Sequence, residues 1–91
     1  MKARMYNFSD WVFETDPKAL QNKYNKALQK SGFDVISYVE KYFTPQGYTA
    51  LFLLGESHLA IHTFPEQNAS YIELCSCVQK PFYKFIQIVT K

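Results

Sequence analysis

The feature that most constrains this fold is one segment with a helix-start signal at one end and a helix-stop signal at the other. Residues 16–32, DPKALQNKYNKALQKSG, offer Asp16 as an N-terminal cap, Pro17 in the first turn and Gly32 as the stop. Between them, residues at helical spacing share one face: Leu20, Tyr24, Ala27, Leu28 and Ser31. The segment predicts a helix over residues 17–31 that covers one face of a sheet.

The remaining segments have the composition and alternation of β-strands. The candidate strands are residues 5–13, 34–43, 48–54, 58–64, 69–78 and 82–89, with turn sequences TPQG at 44–47 and PEQN at 65–68. In the fourth of these strands, alternation puts His58 and His62 on the same face. The order of strand, helix and further strands predicts an α+β fold. We expect a two-layer sandwich in which one main helix backs an antiparallel or mixed sheet.

Length and composition indicate a single domain over residues 1–91. Of the 91 residues, 47% are hydrophobic and 18% are aromatic, which is enough for a modest core. Domains of this size are only marginally stable alone, so we expect oligomerisation to stabilise the chain.

Charge and hydropathy argue against two classes of partner. Ten Lys and Arg residues against eight Asp and Glu do not create the basic field that nucleic-acid binding uses. No apolar run approaches about 18 residues, and the N-terminal sequence MKARMYNFSDW lacks the apolar core of a secretory signal. The sequence therefore predicts a cytoplasmic protein that binds neither nucleic acid nor a membrane.

The two cysteines, Cys75 and Cys77, are two residues apart, so on a strand both side chains point to the same face. A disulfide between them would be strained, and we expect free thiols in a reducing compartment. Zinc binding is the alternative, but one Cys-x-Cys without a second pair of ligands does not define a zinc site. We predict no metal site.

Reactive side chains concentrate in LGESHLAIHTFPEQ, residues 54–67. Taken singly, Ser57, His58 and His62 fit ordinary residues of a half-buried strand. Ser57 lacks the Gly-x-Ser-x-Gly turn of triad hydrolases, and three glycines in the whole chain leave little for an oxyanion loop. A two-carboxylate glycosidase needs a larger cleft, and no phosphate-binding loop is present. The combination of residues needs another explanation.

The run ESHLAIHTFPE, residues 56–66, resembles the signature ESHxxxHTxPE of the prokaryotic S-adenosylmethionine decarboxylase proenzymes, a family of small pyruvoyl-dependent enzymes. Every fixed position of the signature is filled. The resemblance extends upstream through FTPQG and downstream to CSC, over roughly residues 19–77. So many specified positions in one short run rarely coincide by chance.

The resemblance implies that the chain cuts itself between Glu56 and Ser57. The products are a β chain, residues 1–56, and an α chain, residues 57–91. In this chemistry the serine hydroxyl attacks the preceding carbonyl, the amide becomes an ester, and β-elimination leaves a dehydroalanine that hydrolyses to a pyruvoyl group. Ser57 is therefore expected to become a covalent cofactor that forms a Schiff base with the substrate amine and accepts electrons as carbon dioxide leaves.

The resemblance also implies roles for five other residues. His62 matches the base of the self-cleavage step, and Thr49 matches a position, usually serine, whose hydroxyl steadies the oxyanion. Cys77, twenty residues after the cleavage serine, matches the proton donor of decarboxylation. Phe43 matches a ring that stacks on adenine, and Glu66 matches a carboxylate that accepts bonds from ribose hydroxyls. Without the resemblance, Phe43 is an ordinary core residue and Glu66 a solvated turn residue.

Cys75 has the parity of the proton donor but not its spacing, so we interpret it as a small buried residue.

The function implied is decarboxylation of S-adenosylmethionine by a cytoplasmic homodimer, supplying the aminopropyl donor for polyamine (spermidine) synthesis. Two features depart from the family: the N-terminal stretch MYNFSDWVFETD, and an end fourteen residues after Cys77 where relatives usually continue. These departures leave open a pyruvoyl-dependent decarboxylase of a basic amino acid, arginine or ornithine. A third hypothesis is a non-catalytic homologue that binds a partner.

Overall fold

The computed structural model describes residues 3–91, which form five strands and two α-helices. In chain order these are β1 (Tyr6–Val12), α1 (Pro17–Ser31), β2 (Val35–Tyr42), β3 (Tyr48–Leu54), β4 (Ser57–Phe64), β5 (Ala69–Ser76) and α2 (Gln79–Val89), with one 3₁₀ turn at Pro65–Gln67. The predicted α+β fold with an antiparallel sheet backed by a helix is confirmed.

The sheet has the order β1-β5-β4-β3-β2, and every neighbouring pair is antiparallel. Alternation along β3, β4 and β5 sends one set of side chains into the core beneath the helices. The fully buried members include Ala50, Leu59, Ile61, Ile72 and Leu74. Because a strand alternates, the second face of the same sheet carries the residues between them.

Helix α1 has the predicted bounds and both predicted end signals. The Asp16 carboxylate accepts a hydrogen bond from the Ala19 amide at 2.9 Å, and Gly32 takes the left-handed conformation with φ 104°. The five residues predicted to share a face are the five that are buried. The spacing of apolar residues was therefore sufficient to orient this helix on the sheet.

The prediction of a last strand over residues 82–89 is wrong, because this segment lies in α2. Phe82, Phe85, Ile86 and Val89 recur at helical spacing, and both phenylalanines are buried. The centroid of the Phe82 ring lies 5.5 Å from that of Tyr6, and the centroid of Phe85 lies 6.3 Å from that of Phe8. Helix α2 therefore packs on β1 beside α1. Across residues 3–91, neither helix is long and apolar enough to cross a membrane.

The helices cover only one face of the sheet, so the other face is open. We call this the open face. Several of its side chains are apolar and exposed, among them Val39 on β2 and Leu51 and Leu53 on β3. His58 and His62 lie on this face too, as the alternation in β4 predicted.

Candidate active site

The bond between Glu56 and Ser57 lies in the tight turn that joins β3 to β4. Leu54 pairs with Ser57, so only Gly55 and Glu56 form the turn. Glu56 has φ 59°, a left-handed conformation that is uncommon for a residue other than glycine. Backbone held in such a region is strained, and strain of this kind often accompanies functional sites. The predicted cleavage bond is therefore tightly constrained by the local fold.

The Ser57 hydroxyl points toward the core. Only 7% of the residue is exposed, and its Oγ donates a hydrogen bond to the Ser76 Oγ at 2.7 Å. Antiparallel pairing of β4 with β5 sets Ser76 directly opposite Ser57. The nucleophile predicted from the sequence is thus held by a second serine.

The Cys77 thiol lies against the residue on the other side of the same bond. Its Sγ is 3.4 Å from the Glu56 carbonyl oxygen and 3.6 Å from the Glu56 Oε1. Desolvation raises the pKa of the Cys77 thiol, and the neighbouring Glu56 carboxylate raises it further through its hydrogen bond and charge. The thiol therefore keeps its proton more strongly than a free cysteine, as a proton donor requires. We call Glu56, Ser57, Ser76 and Cys77 the hairpin cluster.

A second group of predicted residues lies at the opposite end of β3 and β4. The Thr49 Oγ1 is 3.0 Å from the His62 Nδ1, because the two residues pair directly across the strands. Nearby, Glu66 lies in the 3₁₀ turn that follows β4, and its carboxylate accepts a hydrogen bond from the side-chain amide of Gln46 at 3.4 Å. We call Phe43, Thr49, His62 and Glu66 the distal cluster.

The distal cluster surrounds a cavity of about 250 Å³ whose lining includes Phe43, Gln46, Thr49, His62, Phe64 and Glu66. The Phe43 ring is 50% exposed, so its interpretation as an ordinary core residue is wrong. Its backbone amide donates to the Gly47 carbonyl at 2.8 Å, which closes the turn before β3, and Gly47 there has φ 110°. An open ring and a carboxylate thus face one small cavity.

The structure does not bring the two clusters together within one chain. Ser57 and His62 lie five residues apart on β4, a separation of about 16 Å along an extended strand. Their side chains also point to opposite faces, since Ser57 faces the core and His62 the open face. His62 is therefore out of reach of the Ser57 α-proton in the same chain.

Sequence reasoning missed Ser76 and Gln46, which contact the predicted residues. A signal for Ser76 was present: in CSC, alternation sends the central residue to the face opposite the two cysteines. The interpretation of Cys75 as a buried residue is wrong, because Cys75 is half-buried beside His58 on the open face. Within residues 3–91, no three His, Cys, Asp or Glu side chains come together as metal ligands.

Comparisons with known proteins identify the family of this chain. The sequence profile described as S-adenosylmethionine decarboxylase matches residues 5–91. The chain is 41% identical over 68 residues to S-adenosylmethionine decarboxylase proenzyme 2 of Bacillus anthracis, covering 75% of this chain and 55% of that protein. It is 40% identical over 62 residues to the proenzyme of Brevibacillus brevis, covering 68% of this chain and 47% of the relative.

The fold has a solved counterpart. The crystal structure of the adenosylmethionine decarboxylase from Aquifex aeolicus superposes with a TM-score of 0.77 at 21% identity, covering 99% of this chain and 81% of the other. The chain spans about half the length of the curated relatives it matches. Because the family profile spans nearly all of residues 3–91, the chain belongs to the S-adenosylmethionine decarboxylase family.

Proposed function

We propose that this chain is a self-processing, pyruvoyl-dependent decarboxylase of S-adenosylmethionine that supplies the aminopropyl donor for polyamine synthesis. The observation that carries the proposal is the setting of one peptide bond. The Glu56–Ser57 bond has a strained residue before it, a held hydroxyl after it, and the Cys77 thiol on its carbonyl oxygen. The names of the relatives, proenzymes of S-adenosylmethionine decarboxylase, favour this substrate over a basic amino acid.

The hairpin cluster supplies the groups that the first step of self-cleavage needs. The Ser57 Oγ attacks the Glu56 carbonyl carbon, and negative charge develops on the carbonyl oxygen. The Cys77 thiol, 3.4 Å from that oxygen, donates a hydrogen bond toward the charge. When the C–N bond breaks, the proton lost from the Ser57 Oγ ends on the Ser57 nitrogen, and the amide has become an ester.

The second step removes the Ser57 α-proton, which breaks the bond between its Cβ and the ester oxygen. Residues 1–56 leave with a free carboxylate, and hydrolysis of the remaining dehydroalanine releases ammonia and leaves a pyruvoyl group on residues 57–91. This step needs a base, and imidazole exchanges protons near neutral pH. His62 suits that role by type but lies too far away in its own chain, so the base must come from a second copy.

A two-fold dimer through the open face supplies that second copy. The Leu51–Ala60 pair lies midway between the Thr49–His62 pair and the Leu53–His58 pair. A two-fold axis that lies between the two sheets, passes over this midpoint and runs across the strands would lay the distal end of one sheet over the hairpin end of the other. The partner subunit's His62 then lies over the end of β4 that begins with Ser57.

The chemistry of the open face fits this contact. Val39, Leu51 and Leu53 are exposed by 63%, 45% and 53%, and burying such side chains stabilises a dimer. The cavity of about 250 Å³ at the distal cluster is also below the size of most ligand pockets, about 300–1,000 Å³. A second copy would complete both the cavity and the catalytic set.

In this proposal the distal cluster binds the substrate and the hairpin cluster carries out decarboxylation. In the distal cluster, the exposed Phe43 ring offers a stacking surface for adenine, and the Glu66 carboxylate offers acceptors for ribose hydroxyls. A pyruvoyl group formed from Ser57 would lie in the hairpin cluster and would supply the electron sink for decarboxylation. Cys77, with its raised pKa, returns a proton to the substrate carbon after carbon dioxide leaves.

The first test is the intact mass of the purified protein under denaturing conditions. We expect two fragments, one ending at Glu56 and one beginning at residue 57, the second lighter than a hydrolytic fragment by one ammonia. Carbon dioxide release should then follow from S-adenosylmethionine and not from arginine or ornithine. A single full-length mass would favour the non-catalytic homologue, and release from a basic amino acid would overturn the substrate.

A further inference from the structure

Ser76 is a fully buried serine whose hydroxyl touches the nucleophile of the proposed reaction. It is 0% exposed and lies at the last position of β5. Its Oγ accepts hydrogen bonds from the Ser57 Oγ at 2.7 Å and from the Val78 amide at 2.9 Å, and it lies 3.4 Å from the Val78 carbonyl oxygen. The proposed steps of self-cleavage use its hydrogen bond to Ser57 but assign Ser76 itself no role.

The contacts of Ser76 determine the direction of its hydrogen bond to Ser57. The Val78 amide can only donate, so it occupies one acceptor position of the Ser76 oxygen. The Val78 carbonyl can only accept, so the Ser76 proton points there. One acceptor position remains, and it faces Ser57, which must therefore donate. The lone pairs of the Ser57 oxygen are left free for attack.

We propose that Ser76 is a positioning residue for self-cleavage. It fixes the rotamer of Ser57 and accepts the hydrogen bond of its hydroxyl while the bond from Oγ to the Glu56 carbonyl carbon forms. As a neutral hydroxyl, Ser76 does not keep the proton, which ends on the Ser57 nitrogen. The inference rests on the proposed self-cleavage and adds a residue to its first step, the amide-to-ester shift.

The same strand offers a matched control. Ser70 lies on β5 with the same buried parity, is 0% exposed, and donates a hydrogen bond of 2.7 Å to the Glu14 carbonyl. Replacing Ser70 or Ser76 by alanine therefore removes a fully buried hydroxyl from the same strand. The Ser70 change loses the bond to Glu14, and the Ser76 change loses the bond to Ser57 and those to the Val78 backbone. Only the Ser76 change removes a contact with Ser57.

The experiment follows the fraction of cut chain by intact mass after refolding, with the urea midpoint of each variant as the stability reference. Ser76→Ala should slow self-cleavage by about tenfold or more, the factor expected for one lost positioning hydrogen bond. Ser70→Ala should cut at the parent rate although its urea midpoint falls. Because threonine and valine have the same shape, Ser76→Thr should cut at least about tenfold faster than Ser76→Val, even if both are destabilised.

Hydroxylamine shows whether Ser76 acts before or after ester formation, because it cleaves esters much faster than amides. The uncut fraction of Ser76→Ala should resist hydroxylamine, since the change blocks ester formation. The proposal is overturned if Ser76→Ala cuts at the parent rate, if Ser70→Ala is slowed equally, or if Ser76→Val matches Ser76→Thr. Failure of the parent chain to cut in the same time course would instead sink the self-cleavage itself.

Discussion

The two ends of the β3–β4 pair differ in how they hold their reactive groups. At the hairpin end, the Ser57 and Ser76 hydroxyls are buried and hydrogen-bonded, next to a residue in a left-handed conformation. At the distal end, the Phe43 ring is half exposed and the Thr49–His62 pair lines an open cavity. The bond proposed for cleavage is therefore tightly constrained, whereas the groups proposed for recognition and proton transfer remain accessible. Neither end alone holds all the groups that the proposed reaction needs.

The largest predicted effect tests whether one chain supplies both ends. Ser57→Ala and His62→Ala should each remain uncut when produced separately. Co-produced in equal amounts, they should form mixed dimers in which the intact Ser57 of one chain meets the intact His62 of the other. About half of the His62→Ala chains should then cut, since half of randomly formed dimers are mixed. Differently tagged chains and intact mass would measure this fraction.

The control for this complementation replaces the Ser57→Ala chain by one carrying both substitutions. That pair has no intact His62, so its cut fraction should be zero. If the original pair also gave no cut chain, while successive purification through the two tags recovered mixed dimers, the base would have to act within its own chain and the two-fold arrangement would be wrong.

A second prediction concerns proton donation at the hairpin end. Cys77→Ala should still cut itself, more slowly because the carbonyl loses a hydrogen-bond donor, but should decarboxylate on the order of a hundredfold more slowly because the proton donor is gone. Cys75→Ala is the matched control. Cys75 is also a half-buried free thiol, but its partner across the strands is His58 and not Ser57. Carbon dioxide release per cut chain is the readout, and equal rates for both variants would refute the role of Cys77.

How well the sequence predicts each region depends on how many local signals agree. For α1, the Asp16 cap, the Gly32 stop and the buried face all point to the same helix, and its bounds are as predicted. For α2, the run FYKFIQIV is rich in aromatic and β-branched residues and fits either a strand or a helix. Packing of Phe82 and Phe85 between α1 and β1 decides in favour of the helix, and such long-range contacts are not visible in a local pattern.

For the site, the signature identified the residue types but not their arrangement. A spacing of five residues between Ser57 and His62 suggests proximity, yet on a strand it means about 16 Å and opposite faces. The contact between Ser57 and Ser76 depends on the β4–β5 register, which no local pattern fixes. The roles of these residues stay predictions, since the tests above are what decide them.

A third, smaller effect is expected at the distal end. Thr49→Val keeps the shape of the side chain but removes the hydroxyl that lies 3.0 Å from the His62 Nδ1. This bond fixes the orientation of the ring, so its loss should slow self-cleavage by about tenfold. Thr49→Ser retains the hydroxyl and should cut at close to the parent rate. If Thr49→Val cut as fast as Thr49→Ser, the hydroxyl would have no part in the reaction.

The smallest predicted effect is a shift in the titration of Cys77, and it tests the electrostatics of the hairpin end alone. Desolvation and the Glu56 carboxylate both raise the pKa of the Cys77 thiol, so the alkylation rate should rise with pH at a midpoint above that of a free cysteine. Glu56→Gln removes the negative charge beside the thiolate and should lower the midpoint, although only in part, because desolvation is the larger cause. The midpoint is measured in a chain that also carries Cys75→Ser, which leaves Cys77 as the one thiol, and Ser57→Ala, which prevents cleavage. An unchanged midpoint would mean that Glu56 does not contact the Cys77 thiol in solution. A lowered midpoint would support the proposal that the Glu56 carboxylate helps to keep the Cys77 thiol protonated. Because the same thiol lies on the Glu56 carbonyl oxygen, Glu56 and Cys77 would then act together in both cleavage and turnover.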